Sequence, residues 1–223
     1  MKKAIVLLSG GLDSAVTLYL AKEQNYKCFC LAFDYGQRHR RELVSAGRIA
    51  RAARCPLKVI KINLGWKGSS LLDKNIAITE DASRNPVSGE IPATYVPGRN
   101  IIFLSFALSF AEAMNAGAIF IGAHTGDYSG YPDCRPEFYR AFAKVIATGT
   151  KAGVERKKIR VVTPLLDKNK SGIIRTGKRL GVPFGLTWSC YRGGKEPCGR
   201  CDSCFYRAKG FAEAGIKDPL WEK

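Results

Sequence analysis

The chain has 223 residues, 46% of them apolar, and a formal net charge of +17. That is enough to bury a proper core in one domain, with room for a small appendage. A membrane-spanning chain is excluded, because the longest apolar stretch, "IIFLSFALSFA" (101–111), ends at Glu112 and is too short to cross a bilayer. Lys2-Lys3 precedes only Ala4 to Leu8, too short a run for a secretory h-region, so a cytoplasmic protein is expected. Eight cysteines in such a chain argue for metal or thiol chemistry rather than a disulfide framework. The charge points to phosphate-rich substrates or a polyanion such as tRNA. Its basic clusters, "RHRR" (38–41), "RKKIR" (156–160) and residues 168–179, lack the interleaved aromatics of a single-strand binding platform.

In chain order, "KAIVLL" (3–8) reads as a buried strand, and Val16, Leu18, Tyr19 and Leu20 give Asp13 to Glu23 helical spacing. "CFCLAF" (28–33) and "LKVIKI" (57–62) predict two further strands, with an amphipathic helix at about 40–53 between them. Residues 63–98 carry Gly, Ser, Asn and Pro without sustained periodicity and read as a long loop, of a length usually found in functional lids or disordered segments. Asn100 to Asn115 predicts a long, mostly buried helix, and "AIFIGA" (118–123) an interior strand. A helix near 136–148, a short strand at "IRVVT" (159–163) and a helix at 170–180 follow. Short apolar strands alternating with helices predict an α/β fold with a mainly parallel, doubly wound sheet over residues 1–187. A cysteine-rich tail spans 188–223.

Between the first strand and first helix lies "SGGLDS" (9–14). Ligands of parallel sheets bind at the carboxyl ends of strands, where a helix N-terminus offers free N–H groups to an anion. Gly10 and Gly11 let the backbone approach a phosphate, and Ser9 and Ser14 add hydroxyls. Asp13 either caps the helix or holds Mg²⁺ beside polyphosphate. Neither a Walker A nor a dinucleotide fingerprint is present. The hexapeptide resembles the PP-loop of the ATP pyrophosphatases, which implies cleavage of ATP between its α- and β-phosphates and an adenylated intermediate.

Cys190, Cys198, Cys201 and Cys204 place four soft ligands within fifteen residues, a spacing suited to tetrahedral Zn²⁺ with every position filled by thiolate. Such a metal is structural and pins the tail. An iron–sulfur cluster is the competing reading, but the Cys-x3-Cys-Pro continuation is missing where Phe205-Tyr206-Arg207 follows. Cys28, Cys30 and Cys55 read as ordinary small residues, and Cys134 sits in a loop rich in polar groups.

Three more loops follow predicted strands or lead into the long helix: "DYGQRH" (34–39), "YVPGRN" (95–100) and "GAHTGDYSGYPDCRPEF" (122–138). They supply Tyr35, Arg38, Arg99, Asn100, His124, Asp127 and Asp133 as candidate substrate contacts. A carboxylate there can receive the N–H edge of a guanine-like ring. The convergence of these loops predicts one pocket for ATP and a second, flat polar substrate.

Together, "SGGLDS", "DYGQRH", "YVPGRN", "DYSGYPDCRPEF" and "TWSCY…CGRCDSC" resemble the 7-cyano-7-deazaguanine synthase family, the nitrile-forming enzymes of the 7-deazapurine route to queuosine and archaeosine. The resemblance runs from Lys3 to Pro219. It implies a ligase that turns 7-carboxy-7-deazaguanine, ammonia and ATP into the 7-cyano product, without tRNA as a substrate. It further implies ATP binding along Leu8, Ser9, Gly10, Gly11, Leu12, Asp13, Ser14, Ala15, Val16, Thr17 and Leu18, with Asp13, Ser14 and Lys170 in catalysis. One structural Zn²⁺ per chain, Mg²⁺ with ATP and a homodimer complete the expectation. Two departures bear on substrate choice: His124 stands where the family usually has Asn, and Lys170-Ser171-Gly172-Ile173 lacks the family's Glu. The alternatives are an ATP pyrophosphatase adenylating a base within tRNA, and a non-catalytic zinc-stabilised nucleotide- or RNA-binding module.

Overall fold

The computed structural model describes residues 1–80, 91–125 and 130–221. Strand β1 (Lys3–Leu7) is central because its residues are apolar on both faces. It pairs in parallel with β2 (Lys27–Asp34) on one side and β4 (Ala118–Phe120) on the other; Val6 faces Cys30 and Phe120 in the two registers. Strands β3 (Leu57–Lys61) and β5 (Arg160–Val162) close the two edges, giving the order β3-β2-β1-β4-β5 with all pairs parallel. The winding reverses between β1 and β4, which opens a crevice at their carboxyl ends.

Side chains alternate across the sheet, so each face has its own core. Ala4, Val6 and Leu8 pack with Ala15, Val16 and Leu18 of α1 (Leu12–Glu23), Ile49 of α2 (Arg41–Ala52), and Ile173 and Ile174 of α6 (Lys170–Arg179). Ile5, Leu7, Leu31 and Phe33 pack instead with α3 (Arg99–Ala113) and α4 (Pro136–Gly149), which the four-residue α5 (Lys151–Val154) follows. The predicted strands and helices are therefore present, and the described parts of 63–98 hold no helix or strand before α3 begins.

Two expectations need correction. Helix α3 is not mostly buried: Asn100, Leu104, Ala107, Leu108 and Ala111 form one stripe against the sheet, while Ile101 and Phe106 remain 49% and 40% exposed. A helix on one side of a sheet has only one face to bury, however apolar its composition. The tail also contains a helix that the sequence reading did not anticipate, α7 (Asp202–Ala214), packed on α6. Its buried positions are Cys204, Arg207, Gly210 and Phe211, so a charged residue sits where periodicity calls for an apolar one. Arg207 is only 2% exposed, yet every edge of its guanidinium is met. It donates to both Asp218 carboxylate oxygens at 2.6 and 2.8 Å, to Thr187 Oγ1 at 2.7 Å, and to the Phe184 carbonyl at 3.2 Å. Burying a cation is tolerable only with such complete pairing.

The turn after β1 is fixed by its neighbours. Gly10 has φ +95°, and a β-carbon there would lie 2.0 Å from the Glu42 carbonyl oxygen and 2.7 Å from the Ala46 nitrogen of α2. Gly11 has an ordinary φ of −76° and more room around it. Of the two glycines, only Gly10 requires a conformation closed to other residues. Gly10→Ala should lower stability by roughly 2 kcal/mol or more, from backbone strain plus the clash. Gly11→Ala should leave thermal unfolding within about 1 kcal/mol of wild type. Parallel thermal melts of the two variants check this.

Candidate active site

A cavity of about 900 Å³ opens at the carboxyl ends of β1, β2 and β4. Its floor is apolar, with Leu7, Leu31, Phe33 and Phe103, and its walls are polar. One polar end is the turn after β1. The Gly11 N–H donates to Ser9 Oγ at 3.2 Å, Ser9 and Ser14 hydroxyls meet at 3.1 Å, and Ser14 Oγ donates to the Gly11 carbonyl at 3.0 Å. Among the described residues no side chain caps α1, so the N–H groups of its first turn are open to an anion in the cavity.

Asp13, in that first turn, forms an ion pair with Lys170, whose Nζ lies 2.8 and 3.0 Å from the two carboxylate oxygens. His124, after β4, completes the group: its Nε2 is 2.9 Å from Lys170 Nζ and 3.6 Å from Asp13 Oδ2. Burial alone would raise the Asp13 pKa, but Lys170 and then His124 outweigh it and hold the carboxyl well below the usual carboxylate range. Asp13 is thus an anion at neutral pH, suited to holding a cation and unsuited to giving up a proton. Lys170 is aimed by its place at the start of α6, where Asn169 Oδ1 accepts from the Gly172 N–H at 2.9 Å. Gly210 of α7 makes room for its stem, since a β-carbon there would fall 2.4 Å from Lys170 Cγ.

The other polar end is built on the start of α3. Arg99 lies against the phenols of Tyr35 and Tyr131; burial opposes its charge, but these neighbours and Asp133 raise its pKa further. Tyr35 and Tyr131 are themselves pushed up, chiefly by burial. Tyr131 Oη sits 2.6 Å from Thr94 Oγ1. The cavity thus carries an anion-binding turn with a carboxylate–ammonium pair at one end and a fixed guanidinium among phenols at the other.

Of the residues expected from sequence, Leu8, Ser9, Gly11, Leu12, Asp13, Ser14, Tyr35, Arg99, Asn100, His124 and Lys170 line the cavity. Others do not. Gly10 packs on α2, while Ala15, Val16 and Leu18 are core residues of α1, and Thr17 Oγ1 bonds back to the Asp13 carbonyl at 2.9 Å. Arg38 turns toward the long loop, donating to the Ser70 and Ile76 carbonyls at 3.2 and 3.3 Å. Asp133 accepts from the Asn100 N–H at 3.1 Å and so serves the start of α3. Asp127 lies outside the described residues. Sequence reasoning missed His39, Glu42, Trp188, Ser189, Tyr191 and Tyr206, all of which line the cavity. The flanks of Cys190 were the available signal, since residues next to a clamped cysteine are held in place with it.

The four tail cysteines meet in space. Their Sγ atoms lie within 4.8 Å of one another, and Cys198 and Cys204 are 4.0 Å apart. A tetrahedron with metal–sulfur bonds of 2.3 Å would space its sulfurs by about 3.8 Å, so the donor set fits a metal ion such as zinc. The Cys198 and Cys201 N–H groups donate to Cys190 Sγ and Cys198 Sγ at 3.3 and 3.4 Å. The centre is tied to the cavity through Trp188, whose ring N–H donates to the Cys190 carbonyl and whose backbone N–H donates to the Gly10 carbonyl, both at 2.9 Å.

Two outcomes follow from this geometry. Cys204→Ser should abolish metal retention and shift fluorescence to the red, because Trp188 is buried whereas Trp66 and Trp221 are already exposed. Metal analysis and emission spectra measure both. For Asp13, the depressed pKa means that the ion pair's stabilisation is complete above the unfolded value of about 3.9 and is lost as pH falls through the folded value. Lys170→Met should therefore raise the Asp13 pKa in a carboxyl NMR titration. It should also lower Tm at pH 7 by an amount that shrinks on acidification.

Comparison with known proteins agrees with this architecture. The family model described as "Queuosine biosynthesis protein QueC" matches residues 3–215. The chain is 52% identical over 221 residues to the 7-cyano-7-deazaguanine synthase of Thermosynechococcus vestitus, covering 98% of this chain and 95% of that one. It is also 52% identical to 7-cyano-7-deazaguanine synthase 2 of Desulfitobacterium hafniense over 225 residues, 99% of this chain and 93% of the other. Among solved structures, the NMN synthetase of Francisella tularensis shares the fold at a TM-score of 0.52 and 18% identity, covering 97% of this chain and 78% of that one. A predicted subunit of tRNA methyltransferase from Methanocaldococcus jannaschii gives 0.51 and 14%, covering 98% and 90%. With its sequence matched almost end to end, the chain belongs to the QueC family of queuosine biosynthesis proteins.

Proposed function

We propose that this chain is the ATP-dependent ligase that converts 7-carboxy-7-deazaguanine and ammonia into 7-cyano-7-deazaguanine. Family membership supports it, and the observation that carries it is the pairing, in one cavity, of the turn at Ser9–Ser14 with the Asp13–Lys170 pair beside it. A carboxylate is a poor electrophile, so one oxygen must become a good leaving group. The triphosphate rests on the N–H groups at the start of α1, with Ser9 and Ser14 as hydroxyl donors. The substrate carboxylate oxygen attacks the α-phosphorus in line, and pyrophosphate leaves. Ammonia then attacks the acyl carbon and AMP leaves, giving an amide. A second ATP adenylates the amide oxygen, and loss of AMP with the remaining nitrogen protons leaves the nitrile.

The protein's part is alignment and charge. Lys170 offsets negative charge that grows on the phosphates, and Ser14 orients them. Asp13 would hold Mg²⁺, which when bound screens the phosphate oxygens. Tyr35, Arg99, Asn100 and His124 face the region left for the deazapurine. Zinc at Cys190, Cys198, Cys201 and Cys204 has no open position and would hold the tail, residues 188–223, as a wall of the site on the body formed by 1–187. The exposed apolar residues of α3, Ile101 and Phe106, suit a homodimer contact. A chain with eight cysteines, four of them gathered as a metal donor set, suits a reducing, cytoplasmic setting, and no helix among the described residues is long and apolar enough to cross a membrane. The charge of +17 favours a second reading, adenylation of a base within tRNA.

Incubation of the protein with ATP, Mg²⁺, ammonium and 7-carboxy-7-deazaguanine, without tRNA, should yield the nitrile by mass spectrometry together with AMP and pyrophosphate. No product without tRNA would favour the second reading. Asp13→Ala should lower kcat roughly 10²-fold or more while retaining the metal and the fold. Normal turnover in that variant would refute the role given to Asp13.

A further inference from the structure

At the amino-terminal end of the sheet, opposite the cavity, three cysteines meet. In the β2–β3 register Cys30 pairs with Leu57, and the Cys30 N–H donates to the Pro56 carbonyl at 2.8 Å. Carrying that parallel ladder back two residues sets Cys28 beside Cys55, one strand spacing or about 4.8 Å away. A disulfide spans Cα separations of about 4.4–6.8 Å. Cys30 is a diagonal neighbour of Cys55, on the order of 8 Å away by the same spacings, and lies beyond that range. All three side chains point to the α1 side of the sheet and pack on its core. Cys28 and Cys30 are buried, whereas Cys55 is partly exposed.

We propose that Cys55 is a modification site that a hydroperoxide oxidises, and that Cys28 closes a reversible disulfide onto it. Cys28, Cys30 and then the ammonium of Lys22, as neighbours of Cys55, favour its thiolate, whereas Cys55 disfavours ionisation of Cys28 and Cys30. Lys22 is held there by its 2.6 Å hydrogen bond to the Ala53 carbonyl. The Cys55 and Cys28 sulfurs each also have a carbonyl oxygen at 3.5 Å, that of Ala53 and of Tyr26, so either thiol has a second acceptor until Cys55 ionises. An accessible thiolate with a resolving thiol next to it is the arrangement on which reversible thiol oxidation depends.

The chemistry closes without any further reactant. The Cys55 thiolate attacks the O–O bond, becomes the sulfenic acid and releases an alkoxide or hydroxide, which takes a proton from water. Cys28 sulfur then attacks Cys55 sulfur; the S–S bond forms, the S–OH bond breaks, and the hydroxyl departs as water with the Cys28 proton. Two thiols lose two electrons to one hydroperoxide, and a dithiol reductant reverses the reaction.

The test uses the full-length, metal-loaded protein treated with an equimolar amount of hydrogen peroxide, then alkylated and digested without reduction. Mass spectrometry should find the Cys28 and Cys55 peptides joined and lighter by two hydrogens. Dithiothreitol should release them, and a chromogenic chelator should detect no loss of metal beforehand. Cys28→Ala should leave a dimedone-reactive sulfenic acid at Cys55. Recovery of Cys55 as the alkylated thiol, a link from Cys55 to Cys30, or release of the metal ahead of Cys55 oxidation would each overturn the proposal.

Discussion

One backbone hydrogen bond, from Trp188 N–H to the Gly10 carbonyl, joins the two halves of the site. On one side Gly10 is pressed against the backbone of α2, closer than any β-carbon allows. On the other side Trp188 is held by the Cys190 carbonyl and by the Arg41 guanidinium, 4.7 Å from its ring centre. The turn therefore does not choose its own shape. Helix α2 and the cysteine-bearing tail fix it from opposite sides, which presents the start of α1 to the cavity without a capping side chain.

The same tail governs the charged residues. Lys170 reaches Asp13 only because Gly210 of α7 leaves space for its stem. Helix α7 is in turn anchored by Cys201 and Cys204 at its start and by Arg207 in its middle. The four-cysteine cluster thus bears, through α7, on the direction of Lys170 in the cavity. Rigid support of this kind is what alignment-based catalysis needs, because misplacement by about 1 Å is enough to cost much of the rate.

Much of the fold was legible because its signals are local. Ala4 to Leu8, Cys28 to Phe33 and Ala118 to Ala123 are apolar on both faces, as central parallel strands require, and the turn at Ser9–Ser14 falls where such a sheet binds anions. Helix α7 was hidden because three of its four buried positions are a cysteine, an arginine and a glycine, whose fitness for burial depends on partners distant in sequence. Arg38 and Asp133 show the same limit in the site. Both lie in loops that reach the cavity, but whether a side chain points inward or ties down a neighbouring loop is a tertiary outcome. His39 and Tyr191 were missed for that reason too; their rings meet edge to face at 5.6 Å across segments far apart in the chain.

The buried Arg207 gives the last few residues an importance their position does not suggest. Its cation is neutralised by Asp218, five residues before Lys223. Trimming the chain just short of that aspartate would strand a positive charge in the interior, next to the helix that aims Lys170. An engineered deletion at this extremity, ordinarily harmless, would reach Lys170 through a single orphaned guanidinium.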